Sequence, residues 1–140
     1  MLGFTTVPLA DPALYPLDVL AGILGRGHSS RLYETVVRRQ QLVHGIASWN
    51  YTPHDPGVLA VQFRTDAEKV PAAIEAIVKI LEDIRRQGVS ETELRKAKKA
   101  VIADYVFGLQ TVEDKAGDLA SSLAATGDPL FSRRYVEGIE

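Results

Sequence analysis

Apolar residues along the chain switch between helical and alternating spacing, and the switches mark out the elements. Leu2, Phe4 and Val7 are spaced for a short strand that Pro8 ends, and Asp11 and Pro12 then turn the chain. Leu17, Leu20, Ala21 and Leu24 recur at helical intervals, with Pro16 tolerable in the first turn and Gly25 a natural stop. Ser29 is placed to N-cap a second helix carrying Leu32, Val36 and Arg39. From Val43 to Thr52 the period becomes two. Val43, Ala47, Trp49 and Tyr51 share one face, and His44, Ile46, Ser48 and Asn50 share the other. The run PHDPG at 53–57 is a turn signal, and Leu59, Val61 and Phe63 alternate after it, so the pair predicts an antiparallel hairpin.

Three helices follow. Ile74, Ile77, Val78, Leu81 and Ile84 form the first stripe, which Gly88 closes. Ser90-Glu91-Thr92-Glu93 reads as a capping box opening a helix with Leu94, Ala97, Val101 and Tyr105 on its apolar face. Thr111 opens a third with Val112, Ala116, Leu119, Ala120 and Leu123, ended by Gly127, and Asp128-Pro129 starts a last one. The order predicts an α+β fold: a small antiparallel or mixed sheet with helices packed on one face. The apolar opening, and the helical Tyr135, Val136 and Ile139 just before Glu140, suggest a single domain, residues 1–140, excised from a longer protein.

Composition narrows the function classes. The 140 residues can bury a core, and 18 acidic against 16 basic residues give a net charge of -2, so nucleic acid is not an expected partner. There is no cysteine, which removes disulfides and thiol chemistry. No apolar run approaches the roughly 20 residues of a membrane helix. No leader is visible, and the compartment stays open between the periplasm and cytoplasm of a bacterium.

Candidate chemistry is sparse. Gly22, Gly27 and Ser29 have the spacing of a phosphate loop, but His28 stands where its lysine belongs, and a helix rather than a strand precedes it. A helix-to-helix turn is the better account. The histidines, His28, His44 and His54, lack metal-ligand spacing, so no metal site is expected. No G-x-S-x-G elbow occurs. The basic runs RRQQ at 38–41 and RKAKK at 95–99 read as solvated helix faces, and Trp49 and Tyr51 are expected to pack against a sheet face.

Three stretches together resemble the M16 (insulinase/pitrilysin, processing-peptidase-like) family of zinc peptidases. They are ILGRGHSSRLY at 23–33, the Asp55-Pro56-Gly57 turn, and SETELRKAK at 90–98, and in order they span about residues 2–127. The resemblance is to that family's α+β domain lacking the zinc ligands, and it implies the LuxS/processing-peptidase-like metallohydrolase fold. It implies a non-catalytic domain of a zinc-dependent endopeptidase whose two homologous halves enclose a peptide chamber. The implied partners are the adjacent zinc-binding domain, the second half or a partner subunit, and a peptide substrate. Zinc is expected in the other domain, because the family's H-x-x-E-H is absent here. An inactive scaffold subunit of the same fold is the alternative. The family's substrate-holding arginine and tyrosine fall at Val37 and His44, with Arg38 one place off. That mismatch points to the first half or to a non-catalytic paralogue. Arg26 and His28, the polar tips of the glycine loop, and His44 are the candidate substrate-facing residues; no catalytic residue is expected.

Overall fold

The stretch LYPLDVLAGILG is apolar on nearly every side, and such a helix must be covered on more than one face. A computed structural model, describing residues 1–140, shows it as helix α1 (Leu14–Gly25) in the middle of three layers. Below it lies a sheet of β1 (Leu2–Thr5), β2 (Gly45–Tyr51) and β3 (Val58–Arg64), antiparallel throughout in the order β1-β3-β2. The main core lies here: Ala21 and Leu24 of α1 meet Leu59 and Val61 of β3 and Ala73, Ile77 and Ile80 of α2 (Val70–Gln87). On its other side, Val19 and Ile23 pack on Ala97 of α3 (Glu91–Phe107) and Ile139 of α5 (Phe131–Ile139). Helix α4 (Val112–Thr126) lies outermost and leaves Val112, Leu119 and Leu123 exposed. The α+β class and the one-sided helical cover are as expected. Both capping boxes, Ser90 with Glu93 and Thr111 with Asp114, are formed.

The structure corrects the sequence reading in three places. Ser29 does not cap the second helix. Gly27 turns with φ +73°, so Ser30 takes the capping position. Its carbonyl accepts the first helical N–H from Glu34 at 2.9 Å, while its hydroxyl donates back to the Gly27 carbonyl at 2.8 Å. The Ser29 hydroxyl accepts from Lys96 instead. Second, Tyr33–Arg39 is π-wound, with Gln40 N–H donating to Thr35 carbonyl, five residues back. Third, Trp49 and Tyr51 do not pack against a sheet face, while Leu59, Val61 and Phe63 of β3 turn inward together. Ile46, Ser48 and Asn50 pair with Phe63, Val61 and Leu59 on the face toward the helices, and Trp49 and Tyr51 lie on the helix-free face, 40% and 63% exposed. The reason is close approach. A Cβ on Gly25 would fall 2.2 Å from the Ser48 amide nitrogen, so α1 sits on β2 where only a small side chain fits.

Candidate functional site

Gly22, Gly25 and Gly27 carry no side chains, and the strip they leave beside β2 is a groove of about 530 Å³. Its polar walls are Asp18, Arg26, Ser48, Asn50 and Asp104, and Trp49 borders it from the sheet. Arg26 forms an ion pair with Asp104 across from it on α3. The Ser48 hydroxyl is buried without a hydrogen-bond partner. His28, on the same turn as Arg26, stacks on Tyr33, ring centroids 4.5 Å apart and planes 17° from parallel. His44 stands apart at the entry to β2, its Nε2 3.2 Å from Asp66 Oδ1. His44 and Lys69 hold the Asp66 carboxyl below its ordinary value. Arg26 and His28 therefore share one turn, and His44 belongs to a separate ion-paired corner.

Asp18, a half-buried carboxylate bridging three elements, was not singled out by the sequence. It lies on α1, and its two oxygens accept from different elements: Asn50 Nδ2 on β2 at 2.8 Å and the Tyr135 hydroxyl on α5 at 2.6 Å. The Asn50 carbonyl oxygen accepts in turn from the Thr6 hydroxyl at 3.2 Å. Burial raises the Asp18 pKa above the ordinary carboxylate value despite both hydrogen bonds, and burial followed by the Asp18 carboxylate pushes the Tyr135 phenol up. Tyr135 is 117 residues from Asp18, so no local spacing could announce the pair.

The two motifs behind the resemblance meet physically. Arg31 of SSRLY forks onto Glu93 of SETEL, Nε to Oε1 at 2.5 Å and Nη2 to Oε2 at 2.8 Å. Glu93 also accepts from the Ser90 amide and hydroxyl. Led by the Arg31 hydrogen bond, these contacts lower its pKa from 4.5 to about 2. The site is a joint between the glycine turn and α3.

The π winding bears on the mismatch at Val37. A π turn takes up about one residue more than an α turn, so spacing counted along an α-helix does not hold through Val37 and Arg38. Arg38 is exposed and paired with Glu34 at 3.0 Å. At His44 no such shift intervenes.

Nowhere do three His, Asp or Glu side chains come together to hold a metal ion. The zinc of the resembled family does not fit these residues. Residues 1–101 match the family model described as the peptidase M16 inactive domain. The chain belongs to the peptidase M16 family. It is 27% identical over 114 residues to an uncharacterized zinc protease of Bacillus subtilis, covering 81% of this chain and 28% of that protein. It is 32% identical over 123 residues to the zinc protease PqqE of Helicobacter pylori, covering 87% of this chain and 28% of that one. The chain thus spans under a third of either relative. Among solved structures, a protease from Helicobacter pylori superposes with TM-score 0.87 at 25% identity over 98% of this chain and 33% of that one. The peptidase M16 inactive domain from Pseudomonas fluorescens superposes with TM-score 0.85 at 17% identity, covering 98% and 33%, a likeness of fold. This M16 domain is of the inactive type, its bacterial relatives carry zinc-protease names, and no helix is long and apolar enough to cross a membrane.

Proposed function

We propose that the chain is a non-catalytic domain of an M16 zinc-dependent endopeptidase and forms part of the wall of a peptide-enclosing chamber. One observation carries this reading. The sheet keeps a helix-free face on which Trp49, Tyr51 and Val58 stand exposed, beside the groove of Arg26. An uncovered apolar face of this kind, rimmed by polar groups, is suited to a ligand or partner rather than to water. In the reading, Arg26, His28 and His44 lie along the rim of that wall. The catalytic zinc belongs to another domain, on which this one docks. Residues 1–140 are one domain of the longer protein.

Two experiments test it. The reading frame should carry H-x-x-E-H upstream, about one domain length before Leu2, or a partner gene should carry it. A frame and partner without the motif overturn the peptidase reading. In the full-length protein, a photo-cross-linker at Trp49 or Tyr51 should capture a bound peptide, whereas one at Arg86 on α2 should not; equal capture removes the wall assignment. The scaffold reading, without proteolysis, has one supporting observation. The fold is shared, with TM-score 0.81 at 20% identity over 98% of this chain and 35% of that one, by a chain of complex III2 from Candida albicans. Zinc-dependent peptide cleavage by the full-length protein would exclude it.

A further inference from the structure

We infer that Asp18 is a mechanical relay, through which the seating of α5 controls the order of strand β2 beside Trp49. The geometry rests on a rigid fork. The two carboxylate oxygens of Asp18 are fixed in one plane, one accepting from Tyr135 on α5 and the other from Asn50 on β2. If α5 lifts, the oxygen facing Tyr135 is left in a half-buried place without a donor. An acceptor left unpaired in a half-buried place is costly, and the carboxylate recovers the lost bond by turning toward the open groove it lines. Rotation moves the other oxygen off Asn50, because the two cannot turn independently. Asn50 then loses one of the two bonds that hold its side chain, keeping only the Thr6 hydroxyl. Asn50 adjoins Trp49 in β2, the middle strand's partner at the sheet edge.

The other end of the relay is the seat of α5 on α1 and α3. Ile139 is buried against Val19, Ile23 and Ala97, the Tyr135 ring leans on Tyr15 at 5.7 Å, and Gly138 passes the Tyr15 ring so closely that a Cβ would come within 2.8 Å of it. On its outer side α5 packs with α4, whose Val112, Leu119 and Leu123 are exposed. A neighbouring domain that grips those side chains pulls on α5, and the fork carries the pull to β2. That this ends at a peptide-facing strand rests on the chamber-wall reading above; the coupling itself does not.

The test uses the 140-residue chain alone. Tyr135→Phe removes the hydroxyl and keeps the ring, so α5 should stay folded. Amide exchange at Ser48–Tyr51 should rise at least about fivefold along with that of α5, while α2 stays unchanged. Asn50→Ala should couple to it: in the double variant the rise at β2 should fall short of the product of the single effects by at least about fivefold, the scale of contacts sharing one network. Asp18→Ala, which removes both acceptors, should reproduce the β2 effect. Faster exchange confined to α5, or single effects that simply multiply, would overturn the relay. Because no peptide is present, these outcomes decide the coupling whatever cross-linking shows at Trp49.

Discussion

Glu93→Gln probes the joint between the glycine turn and α3 most directly. The wild-type carboxylate binds the Arg31 fork and the Ser90 amide. Glutamine keeps the length and one acceptor for the cap but loses the charge and the second fork bond. The fall of the Glu93 pKa from 4.5 to about 2 sets an upper bound of about 3.4 kcal/mol, at about 1.36 kcal/mol per pH unit. Both side chains are partly exposed, 27% for Arg31 and 32% for Glu93, and water screens such a pair. About 1–2 kcal/mol is therefore expected to survive. The sign follows from linkage: a carboxylate whose pKa is depressed in the fold stabilises it above its unfolded value near 4.5, and the gain is lost as pH falls toward about 2. Urea unfolding of the 140-residue chain should show Glu93→Gln about 1–2 kcal/mol less stable at pH 7, the gap closing near pH 2. Arg31→Lys should lose much of the same stability, since an ammonium cannot fork. A Gln variant as stable as wild type at pH 7, or equally deficient at both pH values, would refute the account.

Three further outcomes are expected. Gly25→Ala forces a Cβ to 2.2 Å from the Ser48 backbone and should cost about 3 kcal/mol or more, whereas Gly27→Ala meets no neighbour and should cost only about 1–2 kcal/mol for its φ of +73°; comparable losses in thermal melts would contradict this. The raised pKa of Asp18 means that its contribution to stability falls as pH rises from its ordinary value near 3.8 through the higher folded value; the wild type minus Asp18→Asn difference should show that fall, and a flat difference would deny it. Ile77→Ala, fully buried between α2 and the sheet, should cost about 2–5 kcal/mol in the same unfolding assay, and a loss under 1 kcal/mol would mean that this is not the core.

What the sequence revealed and what it concealed separate along physical lines. Periodicity and capping chemistry are local, so the Ser90 capping box, the helix start at Thr111, the hairpin turn and the helix order could be read directly. The outward stance of Trp49 and Tyr51 was not legible because alternation separates two faces without saying which one turns inward. Here two of the three inward residues of β2, Ser48 and Asn50, are small or polar for tertiary reasons, Gly25 resting on Ser48 and Asp18 accepting from Asn50. Neither reason is visible within the strand. The aromatic residues thereby left on the outer face are the observation on which the chamber-wall proposal rests. The π winding was equally out of reach, since YETVVRR has ordinary helical spacing. The Asp18 fork required α1, β2 and α5 to converge over 117 residues. Local signals thus specified the elements, while the Asp18 fork and the Arg31–Glu93 joint arise only where the elements meet.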